Sequence, residues 1–132
     1  MARLMVLDED VEMRRFLRIW LESHGHEVAF DAGSGHVGLA AIAREPELFD
    51  VVISDLRLPI ADGLEVLAGA HALAGPRGPV PVILASRNWT EEEVALARGL
   101  GVAAALVKPI DLARLAAEIA LATGRAQYEK AA

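Results

Sequence analysis

The chain has a rhythm that few folds can accommodate. Four short apolar runs each end on a polar or charged residue, and helical-period segments fill the spaces between them. Arg3–Leu7 (RLMVL) runs into Asp8-Glu9-Asp10, Asp50–Ser54 (DVVIS) into Asp55, Val80–Ala85 into Ser86, and Val102–Val107 into Lys108. Short runs that stay apolar on both alternating faces are what strands buried on both sides require. A fifth run, His26–Phe30, begins on polar residues and is expected near a sheet edge. Between the runs the period changes. Met13, Phe16, Leu17, Trp20 and Leu21 fall on one helix face, with Asp10 as cap and Gly25 as stop. Further helices are predicted from Ser34 to Arg44, from Leu64 to Leu73 and from Thr90 to Leu100. Thr90 and Glu93 form a capping box for the last of these. A final helix follows Asp111, carries Leu112, Leu115, Ile119 and Ala122 as its stripe, and is expected to close at Gly124.

Five strands alternating with five helices predict an α/β fold, a parallel sheet covered on both faces. The first, third and fourth strands are the most apolar and should be central. At 132 residues and 54 % hydrophobic content the chain can bury a core without staples. It has no cysteine, which excludes disulfides, thiolate metal sites and a cysteine nucleophile. The net charge of −6 disfavours nucleic acid as a partner. No apolar run reaches the ~20 residues of a membrane span. The first residues meet acids at once and predict no leader peptide, hence a cytoplasmic protein. One domain is expected over residues 1–124, with a short tail over 125–132 and no output domain.

In open parallel sheets, ligands bind beyond the carboxyl ends of the strands, where the strand order reverses. That edge should gather Asp8, Glu9, Asp10, Asp55, Ser86 and Lys108. Carboxylates so crowded need a counter-charge, and an oxygen-only donor set suits Mg²⁺. Lys108, one of only two lysines in the chain, adds a compact cation. Such a site favours phosphoryl transfer, with Asp55 at the end of a central strand as the carboxylate acceptor.

Four segments carry a resemblance: Arg3 to Asp10; Asp50 to Pro59 with Asp62-Gly63; Pro81 to Ser86; and Leu106 to Pro109. In order and at strand ends, they resemble the receiver domain of bacterial two-component response regulators over about residues 3–123. The resemblance implies a flavodoxin-like fold with strand order 2-1-3-4-5. It implies that Asp55 accepts the phosphoryl group and that Asp8, Glu9, Asp55 and the backbone carbonyl of Arg57 hold Mg²⁺. Ser86 would be the switch hydroxyl and Lys108 the phosphoryl contact, aimed by a cis peptide before Pro109. The implied partners are a histidine kinase or histidine phosphotransfer protein, docked on the first helix, and a downstream protein target. The latter would meet the last two helices and the fifth strand. A monomer or weak dimer is expected, and the only catalysis implied is phosphorylation and slow dephosphorylation of its own Asp55.

Three positions depart from the family pattern. Glu9 stands where Asp is usual, which bears on Mg²⁺ affinity. Arg87 stands where a small residue is usual and is a candidate modulator of the acyl phosphate. Ala105 stands where an aromatic is frequent, so the aromatic switch is absent or relocated. A receiver-like module that works without phosphate is the alternative these departures suggest. A second alternative is dinucleotide binding, since Gly33-Ser-Gly-His-Val-Gly38 matches G-x-G-x-x-G. His24 and His26 read as an exposed turn, His36 and His71 have no partner in the pattern, and Trp20 reads as core. Trp89 reads either as a partner contact or as a loop anchor.

Overall fold

The computed structural model describes the backbone of residues 1–131 and the side-chain environments of residues 1–124. The strands are β1 (Arg3–Leu7), β2 (Glu27–Ala32), β3 (Val51–Asp55), β4 (Val82–Ser86) and β5 (Ala104–Val107). The helices are α1 (Val11–Ser23), α2 (Gly35–Arg44), α3 (Gly63–Ala72), α4 (Glu91–Gly99) and α5 (Leu112–Ala131). All strand pairs are parallel, in the order β2-β1-β3-β4-β5. The expected flavodoxin-like order is the observed one, with β1, β3 and β4 inside and β2 at an edge.

The period-2 geometry of the strands divides the core. Leu4, Val6, Val51, Ile53, Ile83 and Ala85 face one side and pack on Leu17 and Leu21 of α1 and Leu115 and Ile119 of α5. Met5, Leu7, Val52, Val82 and Leu84 face the other and pack on Ile42 of α2, Val66 and Leu67 of α3, and Ala97 of α4. Each fully buried side chain of this size contributes roughly 1.5–3 kcal/mol relative to exposure.

Several boundaries move, for identifiable reasons. β2 extends to Ala32 because Asp31 has Arg14 and Arg18 as partners, so its charge can sit within a strand. β4 starts at Val82 because Pro81 has no N–H for the ladder; its carbonyl still accepts from Val52 at 2.8 Å. β5 begins only at Ala104. The buried stripe of α1 is narrower than its sequence pattern: Leu17 and Leu21 are buried, Met13 and Trp20 partly so, and Phe16 is exposed. Gly124 does not close the last helix, which continues to Ala131. The side-chain environments of the expected tail, residues 125–132, lie outside the described residues. The Asp62-Gly63 turn is also a helix start. Asp62 and Glu65 form a capping box on α3 that sequence reading passed over.

Candidate functional site

β1, β3 and β5 deliver their terminal residues to the same edge of the sheet. β1 lies beside β3, so Asp8 and Asp55 leave neighbouring strands as neighbours. Lys108 arrives from β5 because its N–H donates to the Ser86 carbonyl at 2.9 Å, which ties the end of β5 to β4. The Lys108–Pro109 peptide is cis, as the resemblance implies.

The Lys108 ammonium bridges two carboxylates. Its Nζ donates to Asp8 Oδ2 at 2.9 Å and lies 3.2 Å from Asp55 Oδ2. Asp8 Oδ1 accepts the Asp10 N–H at 2.9 Å, and Asp55 Oδ1 accepts the Arg57 N–H at 3.2 Å. Asp8 is buried, and the side chains of Lys108 and Asp55 are 11 % and 14 % exposed, so these charges meet largely out of water. Burial by itself would lower the pKa of Lys108. Its hydrogen bond and charge pairing with Asp8, reinforced by Asp55, outweigh that and hold the ammonium above its ordinary value.

The cleft above this triad has a volume of about 270 Å³ and is lined by Asp8, Glu9, Asp10, Met13, Asp55, Arg87 and Lys108. Six of these are charged. Arg87 is exposed at the rim, and among the described residues it has no ion-pair partner. Ser86 is buried and does not line the cleft. Its hydroxyl donates to Asn88, at 3.2 Å from the carbonyl and 3.4 Å from Oδ1, and accepts the Asn88 N–H at 3.3 Å. The hydroxyl therefore bonds within its own loop rather than into the site.

The donor set is entirely oxygen, which matches a hard cation. Among the described residues no three His, Cys, Asp or Glu side chains converge to form a metal cage. Mg²⁺ does not need one: it is commonly held by one or two carboxylates and keeps several waters. Asp8 and Asp55, with Glu9 on the rim, fit that mode and not the mode of a metal enclosed by protein.

Arg57 has a role the sequence did not signal. Its guanidinium forks onto the Glu93 carboxylate of α4, with Nη2–Oε1 at 2.8 Å and a second bond from Nη1 to Oε2, and Nη2 also donates to the Asn88 carbonyl at 3.0 Å. The Arg57 bond, followed by the Thr90 N–H, lowers the Glu93 pKa to about 2. Glu93 thus serves the predicted capping box and also joins α4 to the loop after Asp55. Trp89 is a loop anchor: its indole Nε1 donates to the Leu106 carbonyl at 2.7 Å.

The glycine fingerprint has a packing explanation. A Cβ on Gly35 would lie 1.9 Å from the Ala61 carbonyl oxygen, and one on Gly38 would lie 2.6 Å from Leu7 Cδ1. The first N–H groups of α2, from Gly35 and His36, donate to the carbonyls of Pro59 and Ile60. The helix start a pyrophosphate would need is occupied by the chain's own loop, and the preceding strand is at the sheet edge. The dinucleotide reading of Gly33–Gly38 is therefore set aside. His24 stacks on Trp20 with ring centroids 4.1 Å apart, and His26 Nδ1 accepts the Ala2 N–H, so this pair is structural.

Comparison with known proteins extends the geometry. The family model of the response regulator receiver domain matches residues 4–120. The transcriptional regulatory protein GlrR of Escherichia coli is 33 % identical over 110 residues, covering 83 % of this chain and 23 % of that protein. The KDP operon transcriptional regulatory protein KdpE of E. coli is 32 % identical over 126 residues, covering 95 % of this chain and 52 % of that protein. The chain thus spans about a quarter of the first relative and about half of the second. A CheY-like response regulator receiver domain protein from Methanospirillum hungatei superposes with a TM-score of 0.85 at 27 % identity, over 98 % of both chains. A receiver domain protein from Clostridium thermocellum gives 0.87 at 25 % identity, over 97 % of this chain and 98 % of the other. With Asp8, Asp55 and Lys108 gathered at one sheet edge and the family pattern matched across nearly its whole length, the chain belongs to the response regulator receiver domain family.

Proposed function

We propose that this receiver domain accepts a phosphoryl group on Asp55, from a phosphohistidine of a kinase or phosphotransfer protein, and signals through protein contact. The observation that carries the reading is the bridge of Lys108 between Asp8 and Asp55. An oxygen of Asp55 attacks phosphorus, a P–O bond forms as the donor's P–N bond breaks, and the imidazole leaves with the electron pair. Lys108, which already contacts the Asp55 carboxylate, can then shift a hydrogen bond to a phosphoryl oxygen. Asp8, Glu9, Asp55 and the Arg57 carbonyl would hold Mg²⁺, which supplies charge neutralisation on those oxygens. Ser86 can contribute only by exchanging its bonds to Asn88 for one to the phosphoryl group. No helix among the described residues is long and apolar enough to cross a membrane.

The docking surface for the donor is α1, which adjoins Asp8 and presents Val11, Phe16 and Ile19 as exposed apolar residues. Incubation with Mg²⁺ and acetyl phosphate should add one acid-labile phosphoryl mass to the wild type and none to Asp55→Asn. No gain in the wild type would end the phosphoacceptor reading. The engaged Ser86 hydroxyl and the small Ala105 favour a second reading, a module that binds its partner without phosphate. Equal partner affinity for wild type, phosphorylated wild type and Asp55→Asn would select it.

A further inference from the structure

We infer that Arg14 is a positioning residue for the acidic loop, setting the backbone from which Asp8 and Glu9 present their carboxylates to Mg²⁺. The inference rests on the reading of those two residues as Mg²⁺ ligands. Arg14 lies six residues after Asp8, in the second turn of α1, and its guanidinium turns back under the β1–α1 loop. Nη1 donates to the Asp8 carbonyl at 2.6 Å and faces the Glu9 carbonyl at 3.4 Å. Nε lies 3.3 Å from Asp31 Oδ1 on β2, and Asp31 also pairs with Arg18. The Arg14 side chain is 19 % exposed. Gly33 completes the seat: a Cβ there would come within 3.0 Å of Arg14 Nη1 and 3.8 Å of the Asp8 carbonyl. Three elements therefore build one pocket for this guanidinium, and its bonds go to the backs of the two peptide groups that carry the acids.

Fixing those carbonyls fixes the direction in which Asp8 and Glu9 leave the backbone. That matters more for Glu9, whose arm has one more rotatable bond than aspartate, because Mg²⁺ demands near-octahedral geometry. Groups that orient metal ligands without touching the metal commonly affect affinity as strongly as weak ligands do. A lysine would keep the charge but lose the planar fork that reaches Asp31 and the carbonyls together.

Calorimetric titration of Mg²⁺ into wild type, Arg14→Ala, Arg14→Lys and Gly33→Ala tests this, with melting temperatures measured in parallel without Mg²⁺. Both Arg14 variants should bind Mg²⁺ roughly 10-fold more weakly, with Arg14→Lys folded as the wild type is. Gly33→Ala should weaken binding in the same direction, because its Cβ presses first on the Arg14 guanidinium and only then on backbone. If Arg14→Ala does not fold, Arg14→Lys and Gly33→Ala carry the test. Wild-type affinity in Arg14→Lys and Gly33→Ala, whatever their melting temperatures, would reduce Arg14 to a structural ion pair and overturn the inference alone. Mg²⁺ binding by Asp8→Asn equal to that of the wild type would overturn the metal reading, and the inference with it.

Discussion

Lys108 holds two carboxylates that would otherwise repel, and its position was legible because a strand end is a place sequence can name. The same is true of Asp8 and Asp55, each the first charged residue after an apolar run. Arg14 and Arg57 were not legible. Their partners are backbone carbonyls and a carboxylate 36 residues away, and no linear spacing encodes those. Arg87 was visible as a departure, and the structure puts it on the cleft rim with an uncommitted guanidinium among the described residues. Arg87→Ala should therefore change the lifetime of the acyl phosphate, read as decay of the phosphorylated mass after the donor is removed; an unchanged lifetime would remove Arg87 from the site. Gly35 makes a second prediction of this size. Its missing Cβ admits the Ala61 carbonyl, so Gly35→Ala forces backbone apart and should destabilise by about 3 kcal/mol or more in urea unfolding.

Elements meet around the loops that carry these residues. The loop after Asp55 adopts left-handed backbone at Ile60 and Ala61, which costs of order 1–3 kcal/mol per residue, and it is held by capping α2. The loop before α4 is fixed three times: by Ser86 with Asn88, by Arg57 with Glu93 and Asn88, and by Trp89 with Leu106. The Thr90–Glu93 box was legible from four adjacent residues, whereas the Arg57 fork on the same Glu93 was hidden by chain distance. Thr90→Ala should cost about 1 kcal/mol, and denaturant unfolding would read it. At the β2 edge, burial, then the amino terminus and His24, keep His26 below its ordinary pKa of 6.5. Its neutral ring accepts the Ala2 N–H, so this contribution is complete above pH 6.5 and fades as pH falls through the lower folded value. Wild type should lose melting temperature between about pH 8 and about pH 5 by a margin that His26→Asn lacks.

For the molecule as a whole, the alternation of buried runs and amphipathic helices was enough to state a parallel α/β sheet with β1, β3 and β4 inside, because right-handed crossovers leave few topologies, while the exact strand order came with the family resemblance. The layered core follows from it: alternate residues of β1, β3 and β4 feed two separate clusters. What escaped the sequence are features set by tertiary partners. Asp31 stays in a strand because two arginines reach it, and Phe16 is exposed because the core side of α1 is filled by Leu17 and Leu21. The polar edge of the sheet is proposed to make Asp55 a phosphoryl acceptor. Reductive trapping of the acyl phosphate tests it most directly: borohydride converts a phosphorylated aspartate to homoserine, which peptide mass spectrometry locates. After exposure to Mg²⁺ and acetyl phosphate, homoserine should be found at position 55 and nowhere else. Trapping at Asp8, Glu9 or Asp10, or at no residue, would contradict the account.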